Sequence, residues 1–192
     1  MDEETWSPDK ELLLRAYAEE AQVCESMHRR SMFRYKTYLK CFRIPLICIS
    51  AINGGVQLLS ESFPAHRSVI IGCTAATSIL VSLLGSVMSY LKLGELFSNH
   101  KTSRVLWQKL FDTIRYQLAL SRDNREDGDE FLHRCRTEYR KLIDISPPID
   151  KTVIAHMKKR LAGLHDQFAI PNYCNGVARV RIYNLDQEPD VL

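Results

Sequence analysis

The chain has 192 residues, and its 26 lysines and arginines against 23 aspartates and glutamates leave a formal net charge of +3. That surplus is too small for a nucleic-acid-binding surface, which needs a basic stripe and a pI above about 9. A mean hydropathy of −0.20 looks soluble only because charged segments on both sides dilute an apolar middle.

Met1–Glu4 is acidic and has no basic segment leading into an apolar run, so no cleavable signal peptide is expected. Ser7, Pro8 and the acidic Asp9 and Glu11 form a helix start signal. Asp9–Arg43 reads as one amphipathic helix, with Leu12, Leu13, Ala16, Tyr17, Ala21 and Val23 on its apolar face. Its second half carries Arg34, Lys36, Lys40 and Arg43, which with Lys92 are candidate contacts for lipid headgroups. Cys41, among these cations, is either a palmitoylation site or a plain interfacial thiol.

Two uncharged runs follow. Ile44–Ser60 has 17 residues, the lower limit for a transmembrane helix, and Ser68–Leu91 has 24, more than enough. Residues 61–67 between them contain Pro64 and make a tight turn, so the pair predicts a transmembrane hairpin. Lysines and arginines crowd both outer flanks, whereas the connecting loop has Arg67 alone, which puts both termini on the cytoplasmic side.

Within the second run, Ala75, Ser78, Ser82, Gly85 and Ser89 recur at steps of 3 and 4, a row of small residues that permits close helix approach. That row could receive the first span of the same chain, pack on a second copy, or line a pore. Asn53 and Gln57 lie one turn apart in the first run, and amides in hydrocarbon need partners. They either bond the serine row or serve conduction.

Beyond the hairpin, residues 92–168 are expected to be cytoplasmic and helical. The second span is expected to run without a break into Leu93–Leu120, where Leu96, Val105, Leu106, Leu110, Phe111, Ile114 and Leu118 recur at helical spacing. Ser121–Asp129 is a polar corner. Glu130–Ile145 resumes helix, with Phe131, Leu132, Cys135, Tyr139, Leu142 and Ile143 on one side, and Pro147 and Pro148 stop it. Asp150 can cap a further helix to about Phe168. In residues 169–192, Asn175-Gly176 lies beside alternating residues, which predicts a small β-hairpin.

The fold class expected is therefore an all-α membrane protein: a two-helix transmembrane hairpin, long cytoplasmic helical extensions and a small C-terminal β-hairpin. The six cysteines contain no C-x-x-C pair, and the six histidines form no H-E-x-x-H. Walker A, G-x-G-x-x-G and G-x-S-x-G patterns are missing too. No metal, cofactor, catalytic residue, small-molecule substrate or enzymatic activity is expected. Cys48 and Cys73, inside the apolar runs, are expected to be buried thiols.

The order of basic helix, hairpin, long continuing helix and charged helix ending at a proline pair resembles the SLATT family of two-transmembrane proteins. The matching pieces are Glu25–Arg34 (ESMHRRSMFR) and Tyr139–Ile149 (YRKLIDISPPI), and the resemblance runs from about Ala16 to Lys159. It implies membrane effectors that oligomerise, form pores and pair with nucleotide-sensing partners. Relatives encoded by large DNA viruses resemble the tail around Pro171–Tyr183 (PNYCNGVARVRIY), which departs from the bacterial pattern. The first expectation is thus a structural anchor that oligomerises in a membrane, such as the internal membrane of a virion, and docks a protein lattice through its cytoplasmic helices and tail. The alternative is a pore-forming effector.

Overall fold

A computed structural model describes residues 6–59 and 62–162, and among them every regular element is helical. The five main helices are α1 (Pro8–Leu59), α2 (Arg67–Tyr90), α3 (Leu93–Ala119), α4 (Gly128–Ile145) and α5 (Lys151–Ala162), with short 3-10 turns at Pro64–His66 and Arg122–Asn124. The predicted β-hairpin of residues 169–192 lies outside the described residues.

The helix ends follow from local chemistry. Ser7 caps α1 through its Oγ, which accepts from the Lys10 N–H at 3.3 Å, and Asp9 and Glu11 complement the positive end of the helix dipole. Asp127 accepts the N–H groups of Asp129 and Glu130 at the start of α4, and Asp150 accepts that of Thr152 at the start of α5. Pro45 lies inside α1, where it lacks the N–H that would bond the Cys41 carbonyl. Between α2 and α3 the expected unbroken helix is interrupted at Leu91 and Lys92. Lys92 has φ 50°, the left-handed conformation that ends a helix.

The chain forms two compact units. Among the described residues the first comprises 6–27, 106–144 and 148–162, and the second 28–59, 62–105 and 145–147. Two of the boundaries, after Met27 and after Val105, fall within α1 and α3 rather than at the ends of the apolar runs, and the other two bracket residues 145–147 at the end of α4.

In the first unit the core collects Trp6, Leu14, Ala18, Ala21 and Cys24 with Trp107, Ile114, Phe131 and Val153, all buried. Here the expected face of α1 needs correcting. Leu12 and Leu13 are 61% and 43% exposed, and the buried row is Leu14, Ala18 and Ala21. Three consecutive leucines cannot share one side of a helix. The α4 face is as expected, with Phe131, Cys135 and Leu142 buried and Leu132, Tyr139 and Ile143 partly so. On α3 Leu110 and Ile114 are buried, but Val105 is 59% exposed, and Trp107 takes the fully buried position.

Aromatic and charged contacts hold this unit's corner. The Trp6 indole N–H donates to the Glu126 carbonyl at 2.8 Å, and the Arg125 guanidinium lies 4.8 Å from the Trp6 ring centroid. Arg125 also donates to the Leu118 and Leu120 carbonyls, closing the C-terminal end of α3, and pairs with Glu11 at 2.5 Å. Tyr139 stacks on Tyr17 with its hydroxyl donating to the Glu20 carboxylate.

Candidate functional site

Two helical stretches, Pro8–Leu59 and Pro64–Ala119, contain windows long and apolar enough to cross a membrane, with mean hydropathies of 1.4 and 1.9. Of those windows only 0% and 6% is buried, whereas the core helix of a soluble protein would be covered. Ile47, Leu58, Val69 and Ile79 are 67%, 83%, 65% and 70% exposed.

What joins the two apolar helices is polar. Thr74 is the single buried residue of α2. Ile70, Thr77, Val81, Leu84 and Met88 are half-buried on the same side, a row with steps of 3 and 4, and the half-buried positions within residues 36–59 of α1 are Leu39, Leu46 and Asn53. Asn53 holds the polar contact. Its Nδ2 donates to the Ser78 hydroxyl at 3.2 Å and the Thr74 carbonyl at 3.4 Å, and its Oδ1 accepts from the Thr77 hydroxyl at 2.8 Å. The threonine hydroxyls also bond carbonyls one turn back on α2, Thr74 to Ile70 and Thr77 to Cys73. Every polar group of this cluster is supplied from within the pair.

The row of small residues is placed differently. Ala75, Ser78, Ser82, Gly85 and Ser89 each follow a residue of the covered row by one position, about 100° round the helix, and all five are exposed. Ser78 alone reaches Asn53. A Cβ added to Gly85 would meet no atom within 4 Å. Gln57 is on the exposed side, and Cys48 and Cys73, expected to be buried, are exposed on the apolar surface. In a two-helix hairpin most side chains face outward whatever their polarity.

The basic residues flanking the hairpin separate. Arg34 packs its guanidinium near the Tyr38 ring at 6.0 Å. Lys36, Lys40 and Cys41 are exposed. Arg43 and Lys92 come together, lining a cleft of about 580 Å³.

Further along the second unit are two histidines that the sequence does not single out. His28 and His100, 0% and 1% exposed, meet Nδ1 to Nδ1 at 2.9 Å, and Tyr35 stacks on His100 at 5.4 Å. One Nδ1 must carry a proton and the other must not, so the pair is neutral. Burial lowers both pKa values, that of His28 to about 3 with the neighbouring ring adding repulsion. His28 Nε2 and Ser31 Oγ are buried without a hydrogen-bond partner among the described residues.

In the first unit a groove of about 400 Å³ is lined by Leu106, Leu110 and Leu142 together with Lys109, Arg134, Glu138 and Lys141, and Arg134 and Lys141 are paired with Glu126 and Glu138. Cys135 beside it is a poor nucleophile, because burial raises its thiol pKa to about 11. Among the described residues no group of three or more His, Cys, Asp or Glu side chains could hold a metal ion.

The fold thus defines a helical chain with two helices long and apolar enough to span a bilayer, joined by a polar contact. No protein-family model, curated protein or solved structure matches the chain.

Proposed function

We propose that this chain is a non-enzymatic integral membrane protein, a two-span anchor with both termini cytoplasmic that holds a helical body at the membrane and docks a protein assembly there. A lattice on the internal membrane of a virus particle is one such assembly. The observation that carries the reading is the hairpin's inverted packing: its one buried residue on α2 is Thr74, its amide is satisfied inside, and its apolar side chains face out. In water that surface would be a severe liability; in lipid it is the ordinary solvent-facing surface, and polar groups find their partners inside the pair.

Membranes from cells expressing the chain test this. The protein should stay in the pellet through alkaline carbonate, and a membrane-impermeant maleimide should label a cysteine at Phe63 only from the outer side and one at Leu120 only from the cytoplasmic side. Release by carbonate, or labelling of both from one side, would refute it.

The second reading, an oligomeric effector that opens a pore, is favoured by the exposed row Ala75, Ser78, Ser82, Gly85 and Ser89. Disulfide cross-linking through single cysteines at Ser82 and Gly85, combined with dye leakage from liposomes, separates the two. Cross-linked copies in a sealed vesicle support an oligomeric anchor, and leakage at low protein density supports the pore.

A further inference from the structure

The break between α2 and α3 contains two backbone choices that run against ordinary preference. Lys92 is the one non-glycine residue with positive φ among the described residues, at 50°. A glycine there would avoid the crowding of Cβ that a left-handed residue suffers. The chain does have a glycine close by, Gly94, but it stands in the first turn of α3, where helical backbone does not require one.

The lysine side chain is kept at the turn, and Arg43 comes alongside Gly94, its Nη2 lying 3.7 Å from where a Cβ would be, an ordinary van der Waals contact. Lys92 and Arg43 line the cleft of about 580 Å³, a volume ordinary for a small-molecule site. Glu95 shares that end of the cleft and holds Lys92 at 3.4 Å. Arg43 has no acidic partner among the described residues. The other end is lined by Leu46, Gly85 and Met88, which belong to the apolar runs.

We infer that this cleft is a binding site for an acidic glycerophospholipid, with the phosphodiester between Arg43 and Lys92 and an acyl chain along Leu46, Gly85 and Met88. The shared chemistry is that of a phosphate ester, which a soluble phosphate could also offer. The apolar end decides for the lipid, because a free anion would leave it without an occupant. An arginine can give the phosphate two parallel N–H bonds, and the lysine adds a point charge. Glu95 positions Lys92 and weakens the field, so its removal should strengthen binding. The inference rests on the membrane-spanning reading above.

The test uses the full chain purified in a neutral detergent, with added phosphatidylglycerol or phosphatidylcholine, and native mass spectrometry to count retained lipid. Phosphatidylglycerol should be retained over phosphatidylcholine. Arg43→Gln and Lys92→Gly should each lower its retention about fivefold, the factor for one interfacial cation, and Glu95→Gln should raise it. Lys92→Gly relieves the backbone, so its thermal stability should be unchanged or higher, which separates loss of the site from loss of the fold. Equal retention by wild type and both cation variants would overturn the proposal, as would equal retention of the two lipids. Displacement of phosphatidylglycerol by millimolar inorganic phosphate would overturn the lipid in favour of a soluble anion. A chain released from membranes by carbonate fails the earlier reading, whereas a carbonate-resistant chain with indifferent lipid retention fails this one alone.

Discussion

The two compact units use helices in opposite senses. In the first, Trp107, Phe131, Ile114 and Leu14 are wholly enclosed, and ion pairs such as Glu11 with Arg122 and Arg125 lie toward the outside. In the hairpin of the second, Ile79 and Leu58 face outward, and the enclosed contact is made by Asn53, Thr74 and Thr77. Burying apolar area in water yields about 25 cal/mol per Å², a drive that vanishes between helices already in hydrocarbon, where packing and hydrogen bonds must join them. The same 3.6-residue period therefore gives an apolar interior in one unit and, in the other, a covered row in which Thr74 and Thr77 stand among Ile70, Val81, Leu84 and Met88.

Substitutions that remove one kind of interior should leave the other intact. The largest effect is expected for Phe131→Ala, which leaves a cavity among residues from several helices and should cost about 3–5 kcal/mol, read as a lowered denaturation midpoint of the body while the hairpin keeps its helical signal in detergent.

The histidine pair blurs the contrast, being polar and yet buried outside the apolar runs. Because burial depresses both pKa values, the folded state binds fewer protons than the unfolded one. Stability contributed by the neutral pair is complete above pH 6.5 and is lost as the pH falls from there toward about 3. A thermal-melting series over that range should show it. At pH 8, His28→Leu alone should cost about 1–3 kcal/mol by leaving His100 unpaired, while His28→Leu with His100→Leu should recover much of the loss and flatten the pH profile.

A smaller change of opposite sign is expected at the turn, where Lys92→Gly should stabilise by about 1 kcal/mol, visible as a higher melting temperature in detergent. The smallest effect per contact belongs to the apolar hairpin. Asn53→Ala should weaken the hairpin by roughly 0.6 kcal/mol for each hydrogen bond removed. A double-mutant cycle with Thr77→Ala in an unfolding titration should give a coupling of that order; no coupling would mean that the polar contact does not hold the helices together.

Much of this was legible from the sequence for a simple reason: charge is nearly binary. The uncharged runs on either side of Pro64, the Ser7 cap and the Pro147-Pro148 stop each need only local reading. The face of α4 was legible because its apolar residues repeat without ambiguity. The start of α1 was not, since Leu12, Leu13 and Leu14 offer three faces and only the partners Trp107 and Ile114 select Leu14. On α2 the small row and the threonine row repeat with the same steps one residue apart, and the Asn53 amide is what distinguishes them. His28 and His100 are far apart in sequence, and no local pattern announces their meeting. The interruption at Lys92 was hidden because its glycine stands at 94.

The Asn53 contact also has a consequence for the order of events during synthesis. Its partners Thr74, Thr77 and Ser78 lie on the helix that is made later. While α2 is still within the ribosome, α1 offers the bilayer a barely sufficient apolar run with an unsatisfied amide at its middle. The first helix then has little reason to leave the insertion machinery alone. On the membrane-spanning reading proposed above, the two helices are expected to leave the insertion machinery together, as a closed pair.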